Sequence, residues 1–290
     1  MLSTCLLLDH DGVTLTDVRC RLPAGRGHTD ATSHHGLVFV RRGAFVRSAD
    51  GAGHLLDATQ AYCINPGEEQ RYDHPHGHGD DCTSVAVDPV LLASAWGGDP
   101  TLPATPLPSS PRVDLGHRLL LAAAHRGDPP DELHERTLAL VAAALAQVDP
   151  DRVASGTGGP ATQQARRALV EPARVAAGRP STARAHRALV DAAREALAAA
   201  PDRSLAELAA DLGVSPFHLS RVFRAATGHT VARHRLRLRV RAALERLAHG
   251  DHRLAHVAAD VGFADQSHLT RAIRAETGRT PSALRRALAQ

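Results

Sequence analysis

The sequence predicts an α+β chain of two domains: a strand-rich N-terminal barrel or sandwich followed by helices, and an all-α C-terminal domain built on a duplicated helical pair. Three observations carry this. At 290 residues the chain exceeds what one hydrophobic core usually serves. Residues 13–90 carry short alternating or apolar runs broken by Gly, Pro, Asp and Asn, the pattern of a compact antiparallel sheet. Finally, "RVFRAATGHT" (Arg221 to Thr230) recurs fifty positions later as "RAIRAETGRT" (Arg271 to Thr280).

Charge divides along the same line. All 34 basic residues are Arg; from Ser181 to Gln290 there are 18 Arg against 10 Asp plus Glu, net +8, while Met1 to Pro180 carries 16 against 21, net −5. A basic C-terminal third is the footprint of a module that meets phosphate. The four cysteines (Cys5, Cys20, Cys63, Cys82) form no C-x-x-C pair, which argues against a zinc ribbon or a disulfide scaffold and leaves buried free thiols as the expectation. No apolar run approaches the ~18 residues of a membrane span, and "CLLL" is too short for a signal peptide, so no membrane partner is expected and the chain is placed in the cytoplasm.

Within residues 1–98, "VRCRL" alternates at Val18, Cys20 and Leu22, and "GLVFVRRGAFVRS" predicts two strands meeting around Arg41 to Gly43. "AYCINPGEEQRY" predicts a strand, a Pro-Gly turn and another strand. A Pro-rich connector from Asp99 to Pro111 leads into a helical segment, 112–150, with patterns around Leu115 to His125 and Asp131 to Gln147. In the second pattern Leu133, Leu140, Val141, Ala144, Leu145 and Val148 make an apolar stripe, which either packs on the domain's own core or docks on its copy in a homodimer. Residues 151–181, rich in Gly, Pro, Ala and Arg, are expected to be a linker before the C-terminal domain, 182–290.

Each repeat predicts helix, tight turn, helix. Ser204 with Glu207 makes a capping box, and Leu205, Leu208, Ala209 and Leu212 form one buried face, echoed by Leu254, Val257, Ala258 and Val261. Gly213 and Gly262 mark the turns, Ser215 and Pro216 open the next helix, and Gly228 and Gly278 close both second helices. With Leu219, Val222 and Phe223 inward in one copy and Leu269, Ala272 and Ile273 in the other, Phe217, Ser220, Arg221 and Arg224 stand outward, as do Gln266, Ser267, Thr270, Arg271 and Arg274. Arg bridges guanine and Gln bridges adenine, so these faces suit base edges in a major groove. The stretch Val231 to Ala248 predicts a connecting helix of about 27 Å, of the order of one DNA turn of ~34 Å.

Residues 183–288 resemble the AraC/XylS transcriptional regulators, through "LAADLGVSPFHLSRVFRAATG", "RVRAALERL" and "VGFADQSHLTRAIRAETGRTPSALR". The resemblance implies two helix-turn-helix units joined by a helix. It places Phe217, Ser220, Arg221, Gln266, Ser267, Thr270 and Arg271 at base-reading positions, while Arg224 and Arg274 are assigned to phosphate. His234 stands where the family commonly has Tyr, Leu269 and Ile273 where it commonly has Phe, and Arg253 where the first repeat has its cap, leaving Asp251 as the substitute cap. The resemblance further implies a cupin-like N-terminal barrel that binds a small-molecule effector, with double-stranded DNA and RNA polymerase as partners, an activator more than a repressor, no enzymatic activity and no resident cofactor.

One stretch stands apart. "HPHGHGDDC" places His74, His76, His78 and Cys82 within nine residues, and His34 with His35 precede a strand. Imidazole with thiolate suits zinc or a similar ion, giving a metal-responsive regulator as the alternative; an exposed loop explains the same spacing. The metal-binding cupin pattern, H-x-H followed by Glu, is not reproduced, which leaves a cupin-type metal-dependent enzyme fused to the DNA module as the more distant reading.

Overall fold

In the computed structural model, Asp11 and Gly12 both take positive φ (43° and 75°), the conformation of a two-residue hairpin turn. They join β1 (Leu2–His10) to β2 (Val13–Cys20). The structure describes residues 2–21, 27–49, 51–74, 79–149, 153, 180–250 and 253–289. β1 has no counterpart in the sequence patterning because it is an edge strand exposed over most of its length, with Leu2 and Leu6 open to solvent, so burial imposes no alternation on it. Cys5 lies on this strand and is exposed, against the expectation of a buried thiol; Cys20, Cys63 and Cys82 are buried.

The remaining strands are β3 (Gly27–Ala31), β4 (His35–Arg42), β5 (Ala44–Ala49), β6 (Ala52–Asp57), β7 (Gln60–Ile64), β8 (Glu69–Asp73), β9 (Asp80–Val87) and β10 (Leu107–Pro108). They form a six-stranded sheet in the order β1-β2-β9-β4-β7-β10 and a four-stranded sheet in the order β3-β8-β5-β6. Where a cupin-like barrel was expected, the strands form two antiparallel sheets, with no ladder joining them among the described residues. Gly43, at φ 86°, carries the chain from one sheet to the other; a Cβ there would sit 2.3 Å from the Gly79 carbonyl oxygen, so only glycine fits. Leu22, the last position of the alternating "VRCRL", lies outside the described residues.

The six-stranded sheet is covered on both faces. Val38, Val40, Tyr62, Ile64 and Cys82 pack with Phe45, Leu56 and Tyr72 of the second sheet. Leu37, Phe39, Ala61, Cys63, Val85 and Val87 pack on the other side against α1 (Pro89–Ala95), α2 (Pro111–Arg126) and α3 (Pro130–Leu145). This explains why β4 reads as a continuous apolar run rather than an alternating one. The stripe of α3 is taken up by this core at Leu133, Leu140, Val141, Ala144 and Leu145; Val148 lies beyond the helix and is 44% exposed, so it does not belong to that stripe.

The C-terminal domain begins with α4 (Pro180–Ala199), whose Val190, Ala193 and Leu197 are buried at helical spacing. The expected linker, 151–181, lies outside the described residues apart from Val153 and the start of α4. There follow α5 (Leu205–Asp211), α6 (Pro216–Thr227), α7 (Val231–Ala248), α8 (Leu254–Asp260), α9 (Gln266–Thr277) and α10 (Pro281–Ala289). No described helix is long and apolar enough to cross a membrane.

The repeat folds as its spacing predicts. Leu208, Ala209, Leu219, Val222 and Phe223 bury together in one unit, and Val257, Ala258, Leu269, Ala272 and Ile273 in the other. Ser204 and Glu207 form the reciprocal capping box, and Ser215 caps α6 by accepting from His218 N at 3.2 Å. At α8 the Arg253 position makes no side-chain cap, and Asp251 lies outside the described residues. α9 is instead capped by Asp265, which accepts from His268 N at 2.7 Å. Replacing Ser204 by Ala should therefore cost about 0.5–2 kcal/mol in denaturant unfolding.

Candidate nucleic-acid interface

The inward packing of Leu219, Val222 and Phe223 turns the opposite side of α6 to solvent: Phe217 is 79% exposed, Arg221 and Arg224 are exposed, and Ser220 is half-buried. In α9, Gln266, Ser267, Arg271 and Arg274 are exposed and Thr270 is half-buried. All nine residues read as outward in the sequence thus lie on two equivalent helix faces. Arg221 and Arg271 are the sixth residue of their helices, so each stands about one and a half turns from a capped N-terminus.

Several arginines nearby are taken up by carboxylates of the fold. Arg233 and Arg237 face Glu276 at 2.5 and 3.7 Å, Arg246 pairs with Asp260 at 2.6 Å, Arg203 pairs with Asp211, and Arg241 lies 3.3 Å from Asp114. Among the described residues, Arg221, Arg224, Arg271 and Arg274 make no ion pair, so their charge remains available to an anion. A surface of this kind offers guanidinium groups for base edges and phosphates, flanked by short polar side chains and one exposed aromatic ring.

The domain carrying these faces is locked to the N-terminal one at two buried charge clusters, neither of which the sequence patterning reveals. In the first, Asp57 at the end of β6 is fully buried. Its Oδ1 accepts from Thr59 N and Oγ1 at 2.7 and 2.6 Å, and its Oδ2 accepts from Arg194 Nε of α4 at 2.9 Å. Arg194 also donates to the Leu55 carbonyl at 3.3 Å and to Gln60. His234 Nε2 of α7 approaches the same carboxylate at 3.4 Å, and its ring stacks on His229 and meets Phe223 edge-on. Burial alone would raise the Asp57 carboxyl, but Arg194 and His234 outweigh it and hold it well below the usual carboxylate range. His234, the departure from the family's usual Tyr, is therefore a contact to the other domain.

In the second cluster α2 lies against the second repeat: Leu115 and Ala122 join the core of Leu244, Leu247, Leu269 and Leu284. Asp114 accepts from Arg118 Nε at 3.2 Å, Arg118 pairs with Glu245, and Arg241 donates to the Ser109 carbonyl at 2.5 Å. Burial pushes the Asp114 carboxyl up, and Arg118 with Arg241 more than reverses this. Two imidazoles near these interfaces are held neutral: burial and Arg41 depress His117 to about 3, and burial with Arg237 and His234 depresses His229 to about 4.

The N-terminal histidines separate into two places. His34 and His35 line an open pocket of about 330 Å³ with Gly12, Thr14 and Ser33. His74 and Cys82 both lie beside Asp80, with Cys20 in the same group; His76 and His78 are outside the described residues. Beside the apolar cluster between the sheets, Arg47 donates to Gln70 and Glu68 at 2.9 and 2.7 Å and lies over the Tyr62 ring.

Capped paired helices, left-handed glycines at the turns and solvent-facing arginines together define a helix-turn-helix domain of the AraC type, and residues 208–287 match the family model for the helix-turn-helix domain. Over 83 residues, 29% of this chain, it is 43% identical to the HTH-type transcriptional regulator RipA of Corynebacterium diphtheriae. It is 46% identical over 83 residues to the RipA of Corynebacterium glutamicum. The matched stretch spans about a quarter of those relatives, 24% and 25% of their length. Among solved structures, the C-terminal domain of AraT, a response regulator from Geobacillus stearothermophilus, aligns with 34% of this chain and 84% of its own length at 27% identity and TM-score 0.33.

Proposed function

We propose that this protein is a sequence-specific, DNA-binding transcription regulator whose two exposed helix faces read successive major-groove segments of double-stranded DNA. The observation that carries this is that Arg221, Arg224, Arg271 and Arg274 stand exposed and, among the described residues, without an ion pair on equivalent faces of the second helix of each repeat. Arg221 and Arg271, with Phe217, Ser220, Gln266, Ser267 and Thr270, are assigned to base edges, and Arg224 and Arg274 to phosphate. The N-terminal domain is assigned to sensing a small molecule rather than to catalysis. The rim pocket at His34 and His35, about 330 Å³, has the volume a small ligand needs. An effector that favours one arrangement of the buried interface over another would shift how the reading helices are presented, and with them activation through RNA polymerase. The apolar stripe of α3 is used within the chain, so a homodimer would form through another surface; its working place is the cytoplasm.

The division between base and phosphate contacts is testable at one residue. Arg224→Ala should weaken binding to cognate and scrambled duplexes by the same factor and lower the slope of log affinity against log salt by about one. Anisotropy titrations at several salt concentrations measure both; a loss confined to the cognate duplex would overturn the phosphate assignment.

A further inference from the structure

Buried donors that DNA reading does not use converge between the two sheets. In the antiparallel pairing of β2 with β9, Cys20 lies opposite Asp80, so both side chains project from one face. Cys82, two residues further along β9, shares that face. His74 reaches the same point from the other sheet, just beyond the end of β8. A sulfur, a ring nitrogen and a carboxylate oxygen of Cys20, His74 and Asp80 lie within 4.8 Å of one another, and the three residues are 2%, 2% and 5% exposed. His74 Nε2 is 2.5 Å from Asp80 Oδ1, and the Cys82 thiol donates to Asp80 Oδ2 at 3.1 Å. The other ring nitrogen, His74 Nδ1, is buried without a hydrogen-bond partner.

We propose that Cys20, His74 and Asp80 form a buried site for a divalent transition ion of the zinc class, with the Cys82 thiol beside it on Asp80. Thiolate, imidazole and carboxylate are the donors such an ion prefers, whereas calcium and magnesium call for oxygen alone. In a tetrahedral zinc site with bonds of about 2.0–2.3 Å, donor atoms stand roughly 3.3–3.8 Å apart. The present cluster needs His74 and Asp80 to separate by about 1 Å and Cys20, within 4.8 Å of both, to close by at most about 1.5 Å, movements that side-chain torsions supply. The Cys20 sulfur would lose its proton to solvent as its bond to the ion forms. The bound ion would join the six-stranded sheet to the four-stranded one. The site differs from the histidine run of the sequence: two of its three ligands, Cys20 and Asp80, lie outside that set of four.

Cobalt(II) added to the untagged, metal-free full-length protein tests this through its absorption spectrum. One equivalent should produce a thiolate-to-cobalt charge-transfer band with tetrahedral visible bands, displaced by zinc, and zinc should raise the thermal midpoint. Cys20→Ser should abolish the charge-transfer band or weaken binding by about tenfold or more, while Cys5→Ser, at the exposed thiol, should match the wild type. Should Cys20→Ser not fold, His74→Gln carries the same expectation of weakened binding. The proposal is overturned if the wild type gives no charge-transfer band at one equivalent, or if Cys20→Ser gives an unchanged spectrum. It is equally overturned if His76→Ala with His78→Ala removes binding to which Cys20 is indifferent. None of these outcomes bears on the DNA-reading proposal, which uses other residues.

Discussion

Asp57→Ala is expected to lower stability by about 3–5 kcal/mol, because it leaves the Arg194 guanidinium buried without its counterion. The same substitution also removes the acceptor for Thr59 N and Oγ1. Since Asp57 stands on β6 and Arg194 on α4, the loss falls on the joint between domains: the urea midpoint should drop, and unfolding of the two domains should separate. Replacing both partners, as Asp57→Leu with Arg194→Met, should recover most of the loss, since an apolar pair needs no counterion. A midpoint unchanged by Asp57→Ala would show that this contact does not hold the domains together.

The same interface fixes the direction of acid sensitivity. Asp57 and Asp114 titrate below the ordinary carboxylate range, so their contribution is complete above about pH 4, the unfolded value, and declines as pH falls below it. His117 and His229 are depressed from 6.5 to about 3 and about 4, so the unfolded chain takes up protons that the folded chain refuses. These groups therefore make stability fall as pH is lowered, the imidazoles from about pH 6.5; Asp191, whose carboxyl is raised by burial, works in the opposite direction.

Arg221→Ala and Arg271→Ala are each expected to cost about 1–3 kcal/mol on the cognate duplex, a loss of some 5- to 150-fold, if each guanidinium is bidentate to a guanine. Their equivalent places in α6 and α9 make the two losses separable. Arg221→Ala should relax the sequence requirement in one half-site and Arg271→Ala in the other, with little change in binding to scrambled DNA. Equal losses on every duplex would move both residues into the phosphate class with Arg224 and Arg274.

What the sequence disclosed and what it hid divide by the range of the interactions. The repeat, its caps at Ser204 and Ser215 and its turn glycines depend on residues within about four positions of one another, so they can be read as text. The outward faces followed, because once Leu219, Val222 and Phe223 are inside, helical geometry leaves no other side for Arg221. β1 was hidden because an exposed edge strand carries no burial pattern. Nothing within a few positions of Asp57 marks it as a buried ion partner, and Arg194 is 137 positions away on a helix preceded by a Gly- and Ala-rich stretch. Likewise Cys20 and Asp80 meet only through the β2–β9 register, so the histidine run pointed to the right end of the domain with only one of the three ligands proposed, His74.

The most direct measurement is selection of bound fragments from random duplex DNA by the full-length protein. Two conserved blocks, centred about one helical turn or 10–10.5 base pairs apart, are the expected result, with one block degraded by Arg221→Ala and the other by Arg271→Ala. Recovery of fragments with no shared sequence would contradict the assignment of these two helices to base reading.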